Sequence, residues 1–256
     1  MDLVRNGFKS ALAAGRQQIG LWCSLADPFA AELVAGSGFD WLLFDTEHSH
    51  AGLRDVLSQL QAVAPYPVSP AVRPPANDPV AIKRLLDTGA QTLLIPQVNT
   101  AEEARAAVAA TRYPPDGVRG VAGLTRASRF GRIEGYARRA AQQLCVLVQL
   151  ESAQALDQLD AILAVEGADG FFVGPSDLAA SLGHPGEPSH PDVTEAVEGT
   201  ITRIRQRGKP AGVLATDPAF ARHCIELGAT FTAVGVDIGI LARNSEQLAR
   251  QFQPSG

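Results

Sequence analysis

A chain of 256 residues with 46% hydrophobic content can bury one large α/β core or two small ones. A formal net charge of -5, a sequence pI near 5.5 and the lack of a basic patch argue against a nucleic-acid partner. No uncharged apolar run reaches the roughly 18 residues of a membrane span, and residues 1–20 lack the apolar stretch of a signal peptide, so a cytoplasmic protein is expected.

Short apolar runs alternate with longer helical patterns. The runs predict strands over 19–25, 41–45, 68–72, 92–95, 145–149, 170–173, 211–214 and 231–234. Several are flat rather than alternating, as in parallel strands buried on both faces. Helix starts follow them. Asp27-Pro28, Asp78-Pro79 and Asp217-Pro218 each put Pro at a first helical position. Thr100 can cap an Ala/Glu-rich helix, and Ser176 precedes Asp177-Leu178-Ala179-Ala180. Gly89, Gly208 and Gly228 sit where left-handed C-caps would end helices. Two intervals are irregular and read as loops. Residues 113–120 lead into a stretch with Arg126 and Arg129; residues 183–191 hold three prolines plus His184 and His190, both read as surface residues. Cys23, Cys145 and Cys224 are odd in number and widely spaced, and read as buried, reduced thiols.

Strand and helix repeated eight times predict a (β/α)8 TIM barrel forming a single domain over 1–256. A doubly wound sheet is the rival, weakened because no GxGxxG follows the first strand. In such barrels chemistry gathers at the C-terminal ends of the strands. Those ends carry Asp27; Asp45, Glu47 and His48; Arg73; Gln97; Gln149 and Glu151; Gly174 to Asp177; Leu214 and Thr216; and Asp237. Glu151 and Asp177 follow adjacent strands and make a sparse oxygen site suited to Mg²⁺ or Mn²⁺; each could instead be a carboxylate at a helix N-terminus. Arg73 offers a fork for a carboxylate or enolate, or a structural ion pair with Asp45 or Glu47. His48 can act as a general base, or be a satisfied histidine, and His50 reads as a loop residue. The backbone N–H groups of Ser176 and Asp177 should point into the mouth. The only lysines, Lys9, Lys83 and Lys209, lie away from the strand ends, so a Schiff base is not expected and metal-assisted enolisation remains.

At these residues the chain closely resembles the HpcH/HpaI aldolase family of metal-dependent class II pyruvate aldolases. The likeness spans nearly the whole chain. It is carried by Gly38-Phe39-Asp40-Trp41-Leu42-Leu43, Asp45-Thr46-Glu47-His48, Ala64-Pro65-Tyr66-Pro67, Arg73-Pro74 with Asn77-Asp78-Pro79, Arg112-Tyr113-Pro114-Pro115 and Gly174-Pro175-Ser176-Asp177-Leu178. The resemblance implies a barrel whose C-terminal helix is swapped between subunits of a homohexamer, a trimer of dimers. It implies Glu151 and Asp177 as ligands of Mg²⁺, Mn²⁺ or Co²⁺, with no organic cofactor. It implies His48 as the base paired with Asp87, Arg73 as the enolate stabiliser, Gln149, Gly174 and Ser176 around pyruvate, and Trp22 and Leu214 nearer the aldehyde. Thr46 stands where close relatives often carry Gly, and His50 where they have a smaller residue or Pro. The activity implied is reversible cleavage of 4-hydroxy-2-oxo acids, of the 4-hydroxy-2-oxoheptanedioate type met in aromatic compound catabolism. The products are pyruvate and an aldehyde such as succinic semialdehyde. The alternatives are a 2-keto-3-deoxy sugar-acid aldolase of the rhamnonate or glucarate type, an acyl-CoA or phosphoenolpyruvate-type lyase, and a non-catalytic 2-oxo acid sensor.

Overall fold

The computed structural model describes residues 1–253. Eight parallel strands close into a barrel in chain order: β1 (Gln18–Cys23), β2 (Trp41–Asp45), β3 (Ser69–Arg73), β4 (Thr92–Ile95), β5 (Cys145–Leu150), β6 (Gly170–Val173), β7 (Ala211–Leu214) and β8 (Phe231–Val236). Helix α1 (Gly7–Ala13) precedes the barrel. Around it run α2 (Pro28–Ala35), α3 (Leu53–Ala62), α4 (Pro79–Asp87), α5 (Ala101–Thr111), the short α6 (Tyr136–Arg139), α7 (Ala153–Asp157), α8 (Leu159–Leu163), α9 (Pro175–Ser181), α10 (Pro191–Gln206), α11 (Pro218–Glu226) and α12 (Asp237–Phe252).

Local chemistry explains the junctions. The side chains of Asp27, Asp78 and Asp217 accept from the N–H groups of Ala30, Ala81 and Phe220, each just past a proline. Thr100 caps α5 through the N–H of Glu103. Gly89, Gly208 and Gly228 adopt φ of +95°, +70° and +107°, the region that only glycine enters freely. Several element ends differ from the sequence expectation by one or two residues, and three of the differences bear on the mouth. β1 stops at Cys23 because the next two N–H groups, of Ser24 and Leu25, turn to the Asp237 carboxylate at 2.8 and 3.2 Å. β3 runs on through Arg73, which pairs in register with Asp45. α9 begins at Pro175, so Ser176 and Asp177 lie in its first turn.

The two-residue period of a strand sorts side chains between two cores. Leu42, Phe44, Val72, Val146, Val148 and Phe171 face the helices. Trp22, Trp41, Leu43, Ala71, Leu147 and Phe172 fill the barrel. Continuing the inward parity by one step along β2, β3 and β5 brings Asp45, Arg73 and Gln149 to the C-terminal mouth. The opposite end is sealed by a floor of Phe8, Trp41 and Phe231, with ring centroids 5.6 to 6.2 Å apart. A Cβ on Gly20 or Gly212 would lie 2.2 Å from the Trp41 or Phe231 ring, so both glycines are small because the rings need their space. Each buried ring contributes about 1.5–3 kcal/mol. The three cysteines are free and buried.

Helix α12 contrasts with the rest. Its one buried residue is Asp237, whereas Ile238, Ile240, Leu241, Leu248 and Phe252 are exposed. No helix among the described residues is long and apolar enough to cross a membrane.

Candidate active site

The strand ends meet in a cavity of about 190 Å³, lined by Trp22, Asp45, His48, Arg73, Gln149, Phe172, Gly174, Ser176, Asp177 and Leu214 among others. A larger cavity of about 260 Å³ lies at the other end of the barrel, among Arg5, Asn6, Gln91, Arg126, Arg129 and Tyr136. Size does not choose between them. The larger one is lined by no carboxylate, whereas the mouth holds acids, a fixed arginine and an imidazole.

Arg73 is the best-held group. It is 5% exposed, and its Nε and Nη2 donate to the two oxygens of Asp45 at 2.8 and 2.7 Å. Nη1 lies 2.8 Å from Glu47 Oε2, and the guanidinium sits 4.7 Å over the Trp22 ring. Trp22 in turn donates to Asp45 at 3.2 Å. The structural ion pairs weighed for Arg73 are therefore both present. Among the described residues only two of its five N–H groups are hydrogen-bonded, both to Asp45, which leaves three beside the cavity that Arg73 lines. Burial drives the Asp45 carboxyl up, but the bonds and charge of Arg73, aided by the N–H of Glu47 and Trp22, hold it below the usual carboxylate range. Glu47 goes the other way: burial raises it, and Arg73 and His48 only partly offset burial and the charges of Asp45 and Asp177.

Thr46 has a structural task. Its N–H and its hydroxyl both donate to the Arg73 carbonyl, at 3.0 and 2.6 Å, tying the ends of β2 and β3. His48 follows with a side chain 60% exposed and Nε2 3.9 Å from Glu47 Oε2. Among the described residues no side chain hydrogen-bonds the imidazole.

Glu151 is 3% exposed. Its Oε1 accepts from the Gln97 N–H at 2.7 Å, and its Oε2 from the Gln149 side-chain amide. Gln97 reaches it from a left-handed backbone, φ +57°, a conformation that costs a non-glycine residue about 1–2 kcal/mol. Burial first, then the nearby charges of Asp177 and Glu47, push the Glu151 carboxyl up to about 7 against the pull of those two donors. A Cβ on Gly174 would lie 2.7 Å from Glu151 Oε2 and 3.0 Å from Gln149 Nε2, so glycine lets α9 start against the carboxylate.

These residues fit a divalent cation. The charges of Asp177 and Glu47 raise Glu151, that of Asp177 raises Glu47, and Arg73 is spent on Asp45 and Glu47. Among the described residues no Lys, Arg or His pairs with Glu151 or Asp177. Gln149 Oε1 is buried without a partner, a further oxygen facing the site. An all-oxygen donor set matches a hard ion.

The mouth thus brings together Trp22, His48, Arg73, Gln149, Gly174, Ser176, Asp177 and Leu214, with Glu151 beneath. Asp87 is not with them. It ends α4 at the opposite end of the barrel, where Arg119 holds it at 2.7 Å. A helix after a strand runs back toward the strand's start, so its last residue cannot reach a strand's C-terminal end in the same chain. Arg126 and Arg129, the basic residues that a lyase for a phosphorylated substrate would need at the mouth, line the far cavity instead. Lys9 also lies at that end, paired with Asp169. Sequence reasoning gave no role to Phe172 or Gln97. The inward parity of β6 was the available signal for Phe172; the left-handed turn at Gln97 had none.

The chain is similar along nearly its whole length to known proteins. The family model described as HpcH/HpaI aldolase/citrate lyase matches residues 18–244. A pyruvate aldolase of Rhizobium etli is 62% identical over 252 residues, 98% of this chain and 99% of its own. A 4-hydroxy-2-oxo-heptane-1,7-dioate aldolase of Salmonella typhi is 56% identical, over 97% and 95% of the two chains. The crystal structure of an HpcH/HpaI aldolase/citrate lyase family protein from Burkholderia cenocepacia superposes with a TM-score of 0.92 at 43% identity, covering 96% of this chain and 98% of the other.

Proposed function

This chain belongs to the HpcH/HpaI aldolase/citrate lyase family, and from that membership we propose that it reversibly cleaves 4-hydroxy-2-oxo acids to pyruvate and an aldehyde with the help of a divalent cation. Membership makes it a carbon–carbon lyase, a class II aldolase. The observation that carries the finer reading is the pairing of Glu151 and Asp177, two carboxylates with no cationic partner among the described residues, beside the clamped guanidinium of Arg73.

Glu151 and Asp177 would hold Mg²⁺, Mn²⁺ or Co²⁺, which supplies Lewis-acid polarisation of the substrate's 2-oxo group. The first-turn N–H groups of α9 and Ser176 receive the substrate carboxylate. The donors that Arg73 keeps free would face the 2-oxo oxygen, and their worth rises as that oxygen gains charge. His48 takes the proton of the C4 hydroxyl. The C3–C4 bond breaks, its electron pair enters the 2-oxo system as an enolate, and the aldehyde leaves past Trp22 and Leu214. Protonation at C3 gives pyruvate. The 4-hydroxy-2-oxo-heptane-1,7-dioate aldolases among this chain's relatives favour succinic semialdehyde as the aldehyde, ahead of sugar-acid fragments.

The reading extends to the assembly. An Asp87 that partners His48 must come from another copy of the chain, and the exposed apolar side chains of α12 suit an exchanged helix in a cytoplasmic homohexamer. Incubation with a chelator should abolish pyruvate release from 4-hydroxy-2-oxoheptanedioate, and Mg²⁺, Mn²⁺ or Co²⁺ should restore it. Condensing pyruvate with a panel of aldehydes, read by product mass, identifies the acceptor. Inactivation by borohydride in the presence of pyruvate would sink the mechanism in favour of a Schiff base.

A further inference from the structure

The turn between α9 and α10 carries a cluster that the aldolase chemistry does not use. His184, His190 and Asp192 each present a ligand-type atom, all within 4.8 Å of one another. The two imidazoles are stacked, with centroids 3.5 Å apart and planes at 15°. Asp192 Oδ2 lies 3.0 Å from His184 Nε2 and 3.7 Å from His190 Nδ1. Ligand atoms about 2.0–2.1 Å from a tetrahedral ion lie about 3.3–3.4 Å apart, a spacing that these two distances bracket. The half-buried rings leave one side of the group open to water, and the Asp192 carboxylate is exposed.

The turn is held in shape. His184 N–H donates to Ala179 O at 2.8 Å, Glu187 N–H to His184 O at 3.1 Å and His190 N–H to Glu187 O at 3.0 Å. Gly183 and Gly186, at φ of +90° and +84°, make the two reversals that bring His184 back over His190. Two hydrogen bonds compete: His184 Nε2 with Asp192 Oδ2 at 3.0 Å, whose two atoms an ion would take in turn, and the Asp192 N–H cap to His190 Nδ1 at 3.3 Å, the long edge of the hydrogen-bond range. Binding an ion forgoes that cap and gains a ligand.

We propose that His184, His190 and Asp192 form a second, surface metal site for a first-row transition ion such as Zn²⁺, Cu²⁺ or Ni²⁺. Two imidazole nitrogens and one carboxylate oxygen select borderline ions over Mg²⁺, which prefers oxygen alone. The site differs in donor set from the all-oxygen pair at the mouth. A bound ion ties the turn after α9, the helix that carries Asp177, to the start of α10.

The test uses the full chain in excess Mg²⁺, titrated with Cu²⁺ and followed by electron paramagnetic resonance, with bound Zn²⁺ counted separately by equilibrium dialysis. The expected result is one Cu²⁺ per chain whose hyperfine pattern shows two nitrogen ligands. His184→Phe keeps the ring stack and removes one donor. It should reduce the pattern to one nitrogen and weaken Cu²⁺ by at least roughly 10–100-fold, the loss typical of even an outer-shell partner. Circular dichroism checks that this variant is folded. A pattern unchanged in His184→Phe assigns the copper to another histidine and overturns the site, as does the absence of a nitrogen-ligated ion in the parent chain.

Discussion

Glu151→Gln probes whether the mouth is built short of positive charge. The Glu151 carboxyl is raised from 4.5 to about 7, by burial first and then by Asp177 and Glu47. A group whose folded pKa lies above its unfolded value stabilises the fold below the unfolded value. It loses that contribution as pH climbs through the folded value. For Glu151 the window runs from 4.5 to about 7. At about 1.36 kcal/mol per pH unit, ionising this buried group costs the chelator-treated protein about 3 kcal/mol by pH 8. The amide in Glu151→Gln still accepts from the Gln97 N–H, and it can donate to the unpartnered Oε1 of Gln149 once that amide turns over. In chelator at pH 8 the variant should therefore outlast the parent chain, by about 6–12 °C in Tm at roughly 2–4 °C per kcal/mol. At pH 4.5 the two should melt together. Added Mn²⁺ should reverse the order at pH 8, because only the carboxylate holds the ion. Thermal melts at both pH values, with and without chelator, decide it. Equal Tm values at pH 8 in chelator would refute the crowding of carboxylates from which the metal assignment is argued.

Other outcomes are expected on the same grounds. Gly174→Ala puts a methyl 2.7 Å from Glu151 Oε2 at a φ of -98°, so its harm is steric; it should cost about 1–3 kcal/mol in denaturant melts and weaken Mn²⁺ binding measured by calorimetry. Arg73→Lys cannot span Asp45 and Glu47 together, and kcat should fall by about 10²–10³-fold, with added cation giving no rescue. If His48 and Asp87 meet across copies, mixing inactive His48→Ala and Asp87→Ala proteins through unfolding and reassembly should restore part of the pyruvate release, whereas neither alone recovers. Trp41→Ala should cost about 3–5 kcal/mol in melts, because the barrel floor has no neighbour able to fill its place.

Much of this was legible before the structure, for identifiable reasons. Apolar runs marked all eight strands because parallel strands are covered on both faces. The site followed from asking what stands at the end of each run. What escaped depends on contacts distant in sequence. Thr46 stood out only as a departure from relatives, yet it is the strap between β2 and β3, and no local pattern reveals a hydroxyl aimed at the Arg73 carbonyl. The C-terminal end of β3 was placed one residue early because a charged side chain broke the apolar run while its backbone kept pairing. Asp87 was tied to His48 by resemblance alone; the direction of α4 puts it at the far end of its own chain. His184 and His190 looked like scattered surface residues because their meeting depends on two left-handed glycines.

The sealed floor makes the barrel a dead-end vessel. With Trp41 and Phe231 seated over Gly20 and Gly212, and Phe8 of α1 behind them, nothing passes through from below. Arrival and departure share one door. Two fragments released inside must queue, the one nearer the rim going first, and in the condensing direction the partner bound deeper must enter first. Ordered kinetics would then come from the architecture of the vessel rather than from any moving part.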